Sequence, residues 1–342
     1  MRTRIFKINP ENIDSESIKE CASILRSGGT VAFPTETVYG LGANALDDKA
    51  IEKIFKAKGR PSDNPLILHV HSFHEIEKYA GSIPGIARTL AHFFCPGPLS
   101  MILEKKPVVP DSVTGGLPTA AFRIPSNEIA HALIEASALP IAAPSANLSG
   151  KPSTTDGSHV IDDLYGKVDA IIDAGRSEIG LESTVIDLTV TPPEILRPGG
   201  ISFRELKMII PDVRKAFAGD INTAPKSPGM KYRHYSPESP LIIVRGSVSA
   251  TAGMINDLLI ENPSAGVLCS DETMSLYNSE NKISAGSREN PSEIASNIFN
   301  ALRLFDKTGV TAIYCEYFDI GDLEEAVMNR LVKASENIVV ID

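Results

Sequence analysis

Lys58 and Arg60 stand in "KAKGRPSDNP", where a lysine-rich amphipathic stretch gives way to a Gly/Pro turn. Two cations presented from a turn suit a polyphosphate, which arginine can grip through a bidentate fork. Lys53 and Lys56, farther back, read instead as a solvated helix face. A second group, "APSANLSGKPS" over 143–153, sets Ser145 and Asn147 just beyond the strand-ending Pro144. Their side chains can donate to phosphate oxygens, and the N–H groups of such a turn can form an anion nest. A plain polar loop has the same composition, and no G-x-x-x-x-G-K-[ST] marks a P-loop.

Further polar groups punctuate apolar runs. Arg123 lies inside "TAAFRIP", where an unpaired charge is costly to bury; it either pairs with a structural carboxylate or awaits an anionic ligand. "FPTETVYGLG" (33–42) ends an apolar run with Thr35, a carboxylate, Thr37 and two spaced glycines. "LESTVIDL" repeats that grammar with Glu182, Ser183 and Thr184, and Arg197 in "LRPGG" adds a cation at a turn. His69 and His71 alternate onto one face of "LILHVH", a spacing that can hold a metal, but no third ligand stands at a persuasive distance in sequence. No Ser–His–Asp or Cys–His nucleophile is legible. Cations and hydroxyls at strand ends recur, which is what phosphoryl or nucleotidyl transfer requires: positioning and charge stabilisation. The residues alone imply a small anionic ligand.

These groups must be held by an α/β scaffold. Ile18, Cys21, Ala22 and Leu25 recur at helical spacing, with Asp14 or Ser15 to cap the start and Gly28–Gly29 to stop it. "TVAF", "LILHVH", "SMILE", "TAAFRIP", "PIAAPSAN", "AIIDAG" and "STVIDLT" read as strands among helices, some close enough to be hairpin neighbours. That pattern predicts a twisted sheet of mixed direction with flanking helices over 1–205. Proline-rich, aperiodic sequence over 206–240 predicts a linker. From 241 to 342 regular strand–helix alternation predicts a smaller, Rossmann-like α/β domain.

Composition narrows the class. The 342 residues are 42% hydrophobic and 22% charged, ordinary values for a globular protein, and exceed the usual single-domain size. No apolar run is long enough for a membrane span, and the N-terminus lacks the apolar core of a signal peptide, so a cytoplasmic location is expected. Four scattered cysteines without a CxxC pair fit a reducing compartment. The formal charge is −10 and neither half is basic, which argues against a strong nucleic-acid binder, a local basic patch aside.

Taken in order, "FPTETVYGLG", "KAKGRPSDNPL", "AFRIP", "PSANLSG", "ESTVID" and "LRPG" resemble the YrdC-like family of threonylcarbamoyl-AMP synthases over residues 14–205. "PGMKYRHYSP" and the tail ending in "AVMNRLVKAS" resemble its longer, two-domain form. The resemblance implies condensation of L-threonine, bicarbonate and ATP into threonylcarbamoyl-AMP and pyrophosphate; the phosphate chemistry adds an expectation of Mg²⁺ as cofactor, with no metal held by the protein's own residues. The product would pass to the downstream tRNA threonylcarbamoyl-transfer machinery. It further implies that Lys58, Arg60, Ser145, Asn147 and Arg197 hold ATP, with Lys58 and Arg60 catalytic. Tyr232, His234 and Tyr235, from a linker folding over the nucleotide as a lid, would join them. Thr35, His69, Arg123 and Ser183 would surround threonine, and the glycines near Thr35 would let backbone approach the ligand.

Two rivals remain. An RNA-binding module acting in tRNA or rRNA maturation predicts salt-dependent RNA binding without ATP; direct tRNA contact is otherwise left open. Carbamoyl transfer of the hydrogenase-maturation kind normally comes with zinc-finger segments whose cysteine pattern this chain lacks.

Overall fold

The computed structural model describes residues 2–216 and 235–341. They fall into two units: residues 2–149, 154–178 and 182–216 form the first, and residues 150–153, 179–181 and 235–341 the second.

The first unit is built on β1 (Arg4–Lys7), β2 (Val31–Phe33), β3 (Gly40–Asn44), β4 (Ile67–His69), β5 (Leu99–Glu104), β6 (Thr119–Arg123), β7 (Ile141–Ala143), β8 (Ala170–Asp173), β9 (Thr184–Asp187), β10 (Glu194–Arg197) and β11 (Arg214–Lys215). Among the described residues they form one eleven-stranded sheet in the order β1-β8-β2-β3-β7-β4-β6-β5-β9-β10-β11. Parallel pairs such as β4–β6 and β5–β9 mix with antiparallel ones such as β2–β3 and β5–β6, the mixed-direction sheet that the close-set strands imply. Along β2 the side chains alternate between two cores: Val31 and Phe33 enter one, Ala32 the other.

Helices cover both faces. Ser15–Arg26 buries Ile18, Cys21, Ala22 and Leu25, the stripe read from its spacing, and packs with Ile129, Leu133 and Ile134 of Glu128–Ser137. Asp14 caps it by accepting from Glu16 N at 3.1 Å. On the opposite face, helix Asp48–Lys58 contributes Ile51, Ile54 and Phe55. Burying each such side chain favours folding by about 1.5–3 kcal/mol. That helix stops at Gly59, whose φ of +63° is the left-handed geometry glycine adopts without a Cβ clash. Lys58 is therefore its last residue, and Arg60 already belongs to the turn.

β1 and β3 were not anticipated, and β11 lies within the segment expected to be a linker. Gly40 and Gly42 lie inside β3, antiparallel to β2, not in a loop approaching a ligand. A Cβ on Gly42 would fall 2.7 Å from Ile141 Cγ2 and 2.8 Å from the Phe33 ring. The glycines make room for protein side chains, which corrects the expectation that they admit a ligand.

The second unit carries β12 (Leu241–Arg245), β13 (Gly266–Cys269), β14 (Lys282–Ser284), β15 (Ile313–Glu316) and β16 (Asn337–Val340). All pair in parallel, in the order β14-β13-β15-β12-β16. It is the parallel α/β sheet expected from the alternation, with β15 inserted between β12 and β13. No helix among the described residues is long and apolar enough to cross a membrane.

Candidate active site

The loop between β2 and β3 joins two buried polar groups. Thr35 shapes it locally: its hydroxyl donates to Val38 O at 2.6 Å and lies 2.9 Å from Thr37 Oγ1. The next residue, Glu36, reaches Arg123 at the end of β6, Nη2 to Oε1 being 2.8 Å. Both are 4% exposed. Among the described residues neither Glu36 oxygen nor Arg123 Nη2 completes a hydrogen bond of regular geometry, so the approach is that of an ion pair. Burial, the largest single influence, would raise the Glu36 carboxyl; the Arg123 charge, the guanidinium's polar contact and the main-chain N–H groups of Glu36 and Ser126 together outweigh it and hold the group below its usual range.

Arg123 belongs to a polar edge shared by neighbouring strands. His69 at the end of β4 and Ser100 in β5 both lie opposite it in register. His69 is buried, its Nδ1 3.1 Å from Ile67 O, and it meets the Phe33 ring edge-on. Burial first, and the Arg123 charge second, push its pKa down to about 3, so the imidazole is neutral. Ser100 and Ser183 share a 2.8 Å hydroxyl contact. Arg197, from β10, donates through Nη2 to Ser183 Oγ at 3.1 Å and to Ser183 O at 2.9 Å. Arg197 and Ser183, expected beside different substrates, are thus in direct contact.

The second group forms around Lys58. Its Nζ donates to the main-chain oxygens of Ser145, at 2.6 Å, and Asn147. Ser145 Oγ donates to Asn147 Oδ1. This turn is tied to the β2–β3 loop, because Ala146 N donates to Tyr39 O at 2.8 Å and Gly40 bridges Ser145. Lys58 is itself buried at the helix C-terminus, where the dipole favours a cation. Arg60 Nη2 donates to Pro65 O at 3.1 Å, folding the Gly/Pro turn onto itself.

Lys58, Ser145 and Asn147 therefore come together, as do His69, Arg123, Ser183 and Arg197, with Thr35 in the loop between the groups. Tyr235 is buried in the second unit, its ring centroid 5.2 Å from that of Phe299. Tyr232 and His234, and with them most of the expected lid, lie outside the described residues. His71 groups not with His69 but with His131 and Glu135, their ligand atoms lying within 4.8 Å of one another.

Glu36 was visible in "FPTETVYGLG" but given no role. Asn64 was also missed: it is 1% exposed, and neither side-chain amide atom has a hydrogen-bond partner among the described residues. Thr154, Thr155 and Ser177 likewise bury hydroxyls that have no hydrogen-bond partner among the described residues. A proline-flanked Asn in a turn reads as exposed, so no local signal marks Asn64.

Residues 23–199 match the Sua5/YciO/YrdC family model, described as telomere recombination, and residues 201–336 match the threonylcarbamoyl-AMP synthase C-terminal domain. The chain is 49% identical to threonylcarbamoyl-AMP synthase of Pyrococcus abyssi, covering 95% of this chain and 96% of that one. It is 44% identical to the Bacillus subtilis protein of the same name, over 94% of each. A crystal structure of P. abyssi Sua5 complexed with L-threonine superimposes with a TM-score of 0.93 at 47% identity, covering 99% of this chain and 100% of that one. E. coli YciO gives a TM-score of 0.54 at 31% identity over 58% of this chain and 96% of its own. With a family model spanning more than half its length and close relatives along nearly all of it, the chain belongs to the Sua5/YciO/YrdC family, in the form that carries the C-terminal domain.

Proposed function

We propose that the chain is a nucleotidyltransferase that condenses L-threonine, bicarbonate and ATP to threonylcarbamoyl-AMP and pyrophosphate. The adenylate would serve tRNA threonylcarbamoyl transfer in the cytoplasm. The observation that carries this reading is the β2–β3 loop, which ties the His69–Arg123–Ser183 edge to the Lys58–Ser145–Asn147 turn. It is supported by the threonine-bound P. abyssi neighbour.

On this reading threonine occupies the first group. Arg123, oriented by Glu36, meets its carboxylate, and neutral His69 offers a hydrogen bond without adding charge. The threonine amine and bicarbonate form a carbamate with loss of water. One carbamate oxygen attacks the α-phosphorus, and the bond from that phosphorus to the bridging oxygen breaks as pyrophosphate leaves. The attacking oxygen is already anionic, so no strong general base is required. The barrier lies in bringing anions together, which Lys58, Arg60 and Arg197 would lower. The Ser145 hydroxyl and Asn147 amide oxygen are hard donors of the kind Mg²⁺ accepts, in a turn without carboxylates. They fit a Mg²⁺ that arrives on the ATP phosphates, where it would offset charge.

The test is pyrophosphate release with Mg²⁺ and bicarbonate, with and without L-threonine, serine being the control and mass spectrometry detecting the adenylate. Release should need threonine and bicarbonate and should be lost in Lys58→Ala and Arg60→Ala. Absence of threonine-dependent turnover by folded, ATP-binding protein would overturn the reading.

A further inference from the structure

The second unit contains a cavity of about 480 Å³ at the carboxyl ends of its parallel strands. In open parallel sheets that end is where ligands bind, and the volume lies in the range of small-molecule sites. Arg245, Ser247, Thr251, Arg288, Asp319 and Glu324 contribute to its lining.

Its floor is rigid. Glu316, buried at the end of β15, accepts from Ser270 N at 2.7 Å, Thr273 Oγ1 at 2.7 Å and Tyr277 OH at 2.8 Å. It also pairs with Arg288 Nη2 at 2.8 Å. Arg288 Nε donates to Ser270 Oγ at 3.0 Å and Nη2 also to Tyr317 O at 3.3 Å. The guanidinium is thereby fixed, while its Nη1 makes no hydrogen bond among the described residues. Glu316 is fully engaged by this set and needs no ligand.

Donors on the other wall are unspent. Thr251 is 4% exposed and lines the cavity, yet its hydroxyl has no partner among the described residues. It sits in the first turn of the 14-residue helix Val248–Glu261, which Ser247 caps by accepting from Ala250 N at 3.3 Å. Among the described residues the Val248 and Ser249 N–H groups meet no acceptor, as at other helix N-termini. Arg245 stacks on the Tyr317 ring at 4.5 Å and pairs with no carboxylate among the described residues. Asp319, from the connection after β15, and Glu324, which opens the helix Glu324–Ala334, bring carboxylates, Glu324 accepting from Tyr317 OH at 2.7 Å.

We propose that this cavity binds a small phosphorylated, hydroxyl-bearing ligand of the nucleoside monophosphate class. Phosphate oxygens accept from Arg288 Nη1, the Thr251 hydroxyl, Arg245 and the helix N–H groups. Sugar hydroxyls donate to Asp319 and Glu324. A purely anionic ligand would meet two carboxylates, and an apolar one would strand both guanidinium groups; the lining suits a molecule with both kinds of group. The site is additional to the one in the first unit.

The experiment is calorimetric titration of the full chain with AMP, inorganic phosphate and adenosine. Lys58→Ala/Arg60→Ala removes phosphate contacts proposed in the first unit and should still bind AMP. Adding Arg245→Ala and Thr251→Val should weaken that binding at least tenfold, with phosphate competing and adenosine alone binding poorly. Thr251→Val keeps the side-chain shape and spares the Arg288–Glu316 pair; tested singly, with thermal unfolding as control, it serves if the combined variant is unstable. AMP binding absent from Lys58→Ala/Arg60→Ala, or indifferent to the Arg245 and Thr251 changes, would overturn the site. Phosphate binding as tightly as AMP would overturn the nucleotide assignment.

Discussion

Glu36 and Arg123, 87 positions apart in the chain, meet at 2.8 Å with almost no exposure, and the pair joins the β2–β3 loop to the end of β6. Breaking such a pair from one side leaves an uncompensated buried charge, which costs about 3–5 kcal/mol. Arg123→Met should approach that figure in urea unfolding, and Glu36→Gln/Arg123→Met should cost less than the two single changes summed. Additive losses would show that the charges do not interact.

The pH dependence of the same pair has a definite sign. The folded Glu36 carboxyl lies below its ordinary value of 4.5, so its stabilisation is present above that value. It is lost as pH falls through the folded pKa. Glu36→Gln should flatten the stability profile in that acidic window and leave its shape unchanged near neutrality.

His69 acts over a wider range. With its pKa pushed from 6.5 to about 3, the unfolded chain binds a proton that the folded chain refuses. Stability should therefore fall by about 1.4 kcal/mol per pH unit as pH drops below 6.5. His69→Gln should remove that slope in denaturation curves taken between pH 6.5 and 4; an unchanged slope would refute the assignment.

Lys58 both ties the Ser145–Asn147 turn and is proposed to face phosphate. Lys58→Met keeps much of the apolar stem and removes the charge. It should lower stability by about 1.5–3 kcal/mol, the range for hydrogen bonds to charged groups. Threonine-dependent pyrophosphate release should fall about 10²-fold or more. Loss of stability with full turnover would leave Lys58 a structural role only.

Gly42→Ala should destabilise by about 1–3 kcal/mol through overpacking against Phe33 and Ile141. Phe33→Leu with Ile141→Val should recover part of that loss, read by urea midpoint, because the clash is with their side chains. No recovery would point to the backbone instead.

Much of this molecule was legible locally. Ile18, Cys21, Ala22 and Leu25 announce a buried helical stripe, Gly59 ends its helix, and strand–helix alternation after residue 241 announces a parallel sheet. These follow from periodicity and backbone sterics, which act over a few residues. The Lys-x-Arg turn and the Ser-x-Asn turn were equally visible, and the Lys58 amine does bring them together.

What the tertiary structure decided are pairings between distant segments. The local pattern left open whether Arg123 has a carboxylate partner in the chain, and Glu36 fills that place only because β6 ends beside the β2–β3 loop. Nor could it say that Arg197 rests on Ser183, or that Gly42 yields space to Phe33. Strand order sets those meetings, and it is chosen by how whole faces pack into common cores, a property no short window of sequence contains.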